Sequence, residues 1–128
     1  MDKEKLIAEA KKASTAAYAP YSGFQVGAAI LTERGKIYTG CNVENISYGA
    51  TICAERTAAV KAVSEGEKRF VAVAVYADTE DFLYPCGICG QFLTEFAAPD
   101  MKIYACNNKG GFEENTLKDV MPHAFKKF

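Results

Sequence analysis

Phe70-Val71-Ala72-Val73-Ala74-Val75-Tyr76 is an unbroken apolar run with valine at every second position. A strand with one wet face alternates apolar and polar residues. A strand that is apolar throughout must be covered on both faces. The run therefore predicts a central strand with cover above and below, which confines the chain to layered architectures.

The flanking segments supply the other layers. Residues 2–18 read as a helix, with Leu6, Ile7, Ala10, Ala13, Ala17 and Tyr18 near one face and Lys and Glu opposite. Ala19-Pro20-Tyr21-Ser22-Gly23 ends it in a loop. Residues 24–31 and 37–41 read as a hairpin turning at Glu33-Arg34-Gly35-Lys36. Residues 42–52 are polar and irregular. A small-faced helix is expected over 53–63, with Ala54, Ala58, Ala59 and Ala62 allowing close packing. A loop over 78–83, a short helix over 87–97, a strand over 102–106, a turn over 107–111 and a weak strand over 112–114 follow. The tail, 117–128, reads as a helical turn and a loop. The sum is an α/β fold, a mixed five-stranded sheet between helix layers (α/β/α), forming one domain over residues 1–128.

Composition excludes several functions. Formal net charge is -1 with 15 Lys and Arg against 16 Asp and Glu, so no surface is built to neutralise phosphates. The pair Lys126-Lys127 is too short to alter that, and nucleic acid is not an expected partner. No apolar stretch approaches a membrane span. The start, Met1-Asp2-Lys3-Glu4-Lys5, is charged and does not resemble a secretory signal. Five cysteines without such a signal favour a reducing cytoplasm and metal binding over a disulfide framework.

Three of those cysteines fall in two motifs: Cys53-Ala54-Glu55-Arg56, and Pro85-Cys86-Gly87-Ile88-Cys89 beginning about 30 residues later. Both motifs fall at expected helix N-termini, whose partial positive charge favours thiolates. Cys86-x-x-Cys89 alone would also fit a redox pair, but that leaves Cys53 and Glu55 unexplained. Three thiolates can hold one zinc and leave its fourth position free for water. A purely structural zinc would need a fourth ligand. Cys41, Cys106 and His123 are the candidates, and each reads better as a core or surface residue. Glu55, two residues after a ligand, is placed to handle the protons of that water. Three thiolates on Zn²⁺ carry one net negative charge, which weakens the metal's pull on its water. Arg56, one helical turn from Cys53, is placed to offset it by donating to ligand sulfurs.

The chain resembles the small cytidine deaminases of the homotetrameric, three-cysteine zinc type over nearly its whole length. The residues that carry the resemblance are Tyr18-Ala19-Pro20-Tyr21-Ser22, Phe24-Gln25-Val26-Gly27-Ala28, Gly40-Cys41-Asn42-Val43-Glu44-Asn45, Cys53 to Arg56, and Pro85 to Cys89 with Gln91. Pro122 and Phe125 complete the set. The zinc motif alone would also suit dCMP, guanine, tRNA and polynucleotide deaminases.

The resemblance implies that Asn42 and Glu44 bind the sugar 3′-hydroxyl. A carboxylate there would repel a phosphate, favouring nucleosides over nucleotides. It implies that Phe24 packs on the pyrimidine and that backbone near Ala54 and Cys86 meets the base's exocyclic edge. Tyr48 and Phe125 would reach a neighbouring subunit's site in a homotetramer. The implied reaction is hydrolysis of cytidine and deoxycytidine to uridine and deoxyuridine, in pyrimidine salvage. Close alternatives are deaminases of related cytosine nucleosides, such as blasticidin S or N4-modified cytidines, and a non-catalytic zinc module. Gly90 stands where the family usually carries Arg, and Ile88 where it often carries Ala. Both departures imply a looser pocket that admits modified cytidines.

Overall fold

Asp2 opens the first helix as its N-cap, its side chain accepting from the Lys5 amide at 3.0 Å. The computed structural model describes residues 1–126, so the last two residues of the expected tail lie outside the described residues. Helix α1 spans Lys3–Ser14 and buries Leu6 and Ala10. It stops four residues short of Tyr18 because that backbone is committed elsewhere. The Tyr18 amide donates to the Asn42 carbonyl at 3.0 Å, and the Tyr18 carbonyl accepts from the Glu44 amide at 2.8 Å. Helical periodicity continues through Ala17, but a bridge to the 42–44 segment wins.

Five strands follow: β1 (Val26–Thr32), β2 (Ile37–Cys41), β3 (Phe70–Ala77), β4 (Ala97–Cys106) and β5 (Phe112–Thr116). Their order in the sheet is β2-β1-β3-β4-β5. Among the strands of the described residues only the central β3–β4 pair is parallel, so the sheet is mixed. β4 begins at Ala97, within the stretch expected as the end of a helix. The Phe70 amide donates to the Phe96 carbonyl at 2.8 Å and draws that stretch into pairing. A short 3-10 turn at Tyr48–Ala50 lies in the irregular segment.

β3 does what its sequence requires. Val73, Val75 and Ala77 face one core with Ala54, Ala58, Ala59 and Ala62 of helix α2 (Ala54–Ser64). Ala72, Ala74 and Tyr76 face another with Leu6 and Ala10 of α1. Helix α3 (Gly87–Thr94) adds Leu93 to the α2 side, and α4 (Leu117–Val120) adds Leu117. The result is the expected three-layer α/β/α arrangement.

Two glycines set how closely the helices approach. A Cβ on Gly27 would lie 2.0 Å from the Ala10 carbonyl oxygen, against α1. A Cβ on Gly40 would lie 2.4 Å from the Ala58 nitrogen and 2.6 Å from the Ala54 oxygen, against α2. The second contact presses α2, with its cysteine-bearing N-terminus, onto β2.

Candidate active site and metal centre

Cys53 is the N-cap residue of α2 and Cys86 that of α3. The two helices bring these ends together, with the two sulfurs 4.0 Å apart. Cys89, in the first turn of α3, is fully buried beside them. The three Sγ atoms all lie within 4.8 Å of one another. Tetrahedral Zn–S bonds of about 2.3 Å place sulfurs about 3.8 Å apart, so the cluster fits zinc with little adjustment. Among the described residues no fourth ligand joins it. Cys106 is buried and bonds the Tyr104 carbonyl, and burial pushes its thiol up to about 11. His123 is exposed. The donor set is three thiolates with an open side, as a water-activating zinc requires.

The electrostatics favour ligation. The Cys53 thiol is lowered to about 5, first by a hydrogen bond with Cys89 and also by Arg56. The same bond and burial raise Cys89. Of the two, Cys53 is the sulfur on which negative charge is favoured. The Arg56 Nη2 donates to Cys53 Sγ at 3.7 Å and to the Thr51 carbonyl at 3.4 Å. Its Nε is buried without a hydrogen-bond partner. Arg56 is half-buried, and a cation set against sulfur in this way favours the anionic form of that sulfur.

Glu55 is 4% exposed. Burial pushes its carboxyl up to about 7, with the Cys53 charge adding to the rise. A carboxyl poised there exchanges protons in both directions near neutral pH.

A cleft of about 270 Å³ opens over this cluster. Cys53, Ala54, Glu55 and Cys86 line it at the thiol end. Phe24, Val26, Asn42, Glu44 and Ser22 line one side, and Leu83 and Tyr84 another. Seven residues singled out from sequence thus converge: Phe24, Asn42, Glu44, Cys53, Ala54, Glu55 and Cys86.

Asn42 first serves the backbone. Its Oδ1 accepts from the Val26 amide and its Nδ2 donates to the Phe24 carbonyl, both at 2.8 Å. One donor hydrogen and acceptor capacity remain for a ligand. Glu44 accepts from the amides of Tyr21 at 2.9 Å and Ser22 at 3.1 Å, and from the Ser22 hydroxyl. The Ser22 bonds hold its carboxyl below the usual carboxylate range.

Tyr48 and Phe125 are not in this cleft. Tyr48 lies in an adjoining recess with Tyr21, Ser22, Glu44 and Thr51. Phe125 lines a cavity of about 320 Å³ with Thr94, Leu117 and Met121, away from the thiol cluster. The departures at Gly90 and Ile88 do not widen the cleft, because neither lines it. Gly90 is buried, and the space its Cβ would need is held by Met121, with Cγ and Sδ each 2.7 Å from that point. Ile88 points outward. Of the other lining residues, Ser22 and Val26 stood in the resemblance motifs without an assigned role, and Thr51, Leu83 and Tyr84 were missed from sequence. The Pro20-to-Gly23 turn signalled a loop but not its carboxylate partner. Nothing in sequence tied Leu83 and Tyr84 to the site beyond their place before Pro85-Cys86.

Residues 1–105 match the family model for the cytidine and deoxycytidylate deaminase zinc-binding region. A cytidine deaminase of Sporosarcina psychrophila is 56% identical over 127 residues, spanning 99% of this chain and 93% of the relative. One from Halalkalibacterium halodurans is 50% identical over 125 residues, spanning 98% and 95%. The crystal structure of cytidine deaminase from Burkholderia pseudomallei superposes with a TM-score of 0.93 at 43% identity, covering 98% of this chain and 100% of that one.

Proposed function

Because this chain belongs to the cytidine and deoxycytidylate deaminase family, we propose that it hydrolyses cytidine and deoxycytidine to uridine and deoxyuridine, releasing ammonia. Glu55, buried in the cleft beside three convergent thiols, is the observation that carries this reading. Cys53, Cys86 and Cys89 would hold one Zn²⁺. When bound, zinc acidifies a water at its free position and so supplies a nucleophile at neutral pH.

The chain's own residues do the rest. Glu55 accepts the proton that the water gives up. It passes that proton to N3 of the base, then takes the second proton from the new hydroxyl on C4 as the carbonyl forms and gives it to the departing amine, so water in and ammonia out balance. Protonating N3 matters because cytosine is aromatic and a poor electrophile at C4. Phe24 packs on the pyrimidine, and backbone at Ala54 and Cys86 meets its exocyclic edge. Asn42 and Glu44 bind sugar hydroxyls, and the fixed Glu44 charge disfavours a 5′-phosphate. Arg56 draws negative charge from the thiolates and keeps the site acidic enough to activate water.

The whole chain, 1–128, acts as one domain. No helix among the described residues is long and apolar enough to cross a membrane. We place the enzyme in the cytoplasm, in pyrimidine salvage, as a homotetramer in which Tyr48 and Phe125 serve neighbouring clefts.

The test is loss of cytidine absorbance on adding protein, across cytidine, deoxycytidine, dCMP and blasticidin S, with and without chelator. The expected result is turnover of both nucleosides, little of dCMP, and loss of activity on chelation. No turnover of any nucleoside by zinc-loaded protein would refute the proposal.

A further inference from the structure

The cleft has one wall whose support comes from the far edge of the sheet. Leu83 and Tyr84 belong to the loop between β3 and α3, residues 78–86, which ends on the ligand Cys86. A loop of this length over a cleft has no regular backbone pairing to fix it.

The β4–β5 hairpin holds the loop at two points. Its turn takes the first half. The Asn108 side chain donates to Asp78 at 2.9 Å, the Asn108 amide to the Thr79 carbonyl at 2.8 Å, and the Asn107 side chain to the Glu80 carbonyl at 3.2 Å. Strand β5 takes the second half through one side chain. The Tyr84 hydroxyl donates to the Glu113 carboxylate and accepts from Asn115 Nδ2 at 2.8 Å. Among the described residues these are the side-chain hydrogen bonds that join residues 81–86 to the sheet. Glu113 and Asn115 are two apart on β5 and so lie on one face, opposite Ala105 and Ile103 of β4. The hydroxyl is therefore gripped from two positions of a paired strand, while the same residue lines the cleft.

We propose that Tyr84, anchored by Glu113 and Asn115, is a positioning residue that fixes the Leu83–Cys86 wall of the nucleoside cleft and so sets which substituents on the base are admitted. This rests on the cytidine reading of the site. Leu83 and Tyr84 adjoin Cys86, at the thiol end, where C4 must sit to react. The wall is thus the part of the cleft nearest the exocyclic amine and the neighbouring ring carbon. A rigid wall rejects an added methyl by clash. A wall free to move admits it. A tyrosine tied at its hydroxyl is well suited to this, since its ring adds packed area while the polar tip fixes direction.

The test compares Tyr84→Phe and Asn115→Ala with the parent zinc-loaded enzyme. The readouts are kcat and KM for cytidine, 5-methylcytidine and N4-methylcytidine, zinc content, and hydrogen exchange of residues 80–86. Tyr84→Phe keeps the ring and removes only the anchor. Asn115→Ala removes one partner from outside the cleft. Both are expected to retain zinc and to speed exchange in 80–86. Both are expected to raise the kcat/KM of at least one methylated substrate relative to cytidine by about tenfold. The change for cytidine itself should fall mainly on KM. Unchanged selectivity and unchanged exchange in both variants would overturn the proposal. So would a lowered melting temperature with the selectivity ratio intact, which is what a merely structural tyrosine gives. Failure of the parent enzyme to deaminate cytidine would instead sink the substrate reading. Hydrogen exchange still reports the anchoring in that case.

Discussion

Arg56 and Glu44 show how single side chains here are defined by what they are bonded to. Both residue types are ordinary on a protein surface. Arg56 is read as a counterweight from its one-turn spacing to Cys53, and its Nη2 does reach that sulfur. Arg56→Gln keeps some hydrogen-bonding capacity but loses the cation. Turnover should fall by about 10- to 100-fold with one zinc per chain retained, checked by kcat alongside metal analysis. Full activity in that variant would show that the thiolates need no such partner. Glu44 was legible as a candidate, but its three contacts from Tyr21 and Ser22 were not, because they cross more than 20 residues of sequence. Those contacts lower its folded-state pKa. A depressed carboxyl gives its contribution fully above the ordinary carboxylate range and loses it as pH falls through the lowered value. Nucleoside KM should therefore stay flat through the ordinary range and rise only below it. In Ser22→Ala, the rise should begin at higher pH. The ratio of the two KM profiles is the quantity to measure, since acid loss of metal from the thiolates is common to both. Superimposable profiles would mean that Ser22 does not hold this charge.

Elements were readable where one requirement dominated and misread where two competed. β3 is apolar on both faces because helices cover both, and no alternative suits that run. α1 ended early and β4 began early for one shared reason. The expected helical ends at residues 15–18 and 96–97 give way where Tyr18 and Phe96 bond to distant backbone, and a single sequence does not show those partners. Glycine is a middle case. Gly27 and Gly40 sit within strands, which hints at close approach, but which helix approaches is a tertiary fact. The two positions make a matched pair. Gly27→Ala pushes on α1, which carries no site residue. Gly40→Ala pushes on α2 near Ala54, next to Cys53 and Glu55. Each should cost about 1–3 kcal/mol or more by overpacking. Only Gly40→Ala should also weaken zinc retention and turnover at temperatures where both variants remain folded. Chelator-driven zinc release compared with denaturant midpoints separates the two effects. Equal zinc retention in both variants would show that the site does not depend on how α2 seats against β2.

At the scale of the whole molecule, the chain leaves large apolar side chains in water: Ile46 is 81% exposed, Tyr48 74%, Ile88 66% and Phe125 60%. Scattered singly these would need no explanation. Their placement does call for one. Tyr48 flanks the recess beside Glu44. Phe125 is held on the far side of α3, where Gln91 bonds its backbone twice, accepting from its amide at 2.9 Å and donating to its carbonyl at 2.6 Å. A residue fixed there serves its own cleft poorly, so any role in base binding has to be played in another copy's cleft. Resemblance suggested this from sequence, but no periodicity or composition could, because an interface between copies leaves no local pattern. The expected outcome is a light-scattering mass of about four times the 13.9 kDa chain mass. Phe125→Ala should raise cytidine KM while leaving zinc content unchanged. Mixing it with Glu55→Gln chains, dissociated and reassembled together, should recover a low KM at part of the active sites. Each Phe125→Ala cleft would then receive an intact phenylalanine from a neighbour that is itself inactive. A fully active particle of single-chain mass, or mixed assemblies whose KM stays at the Phe125→Ala value, would confine each site to its own chain.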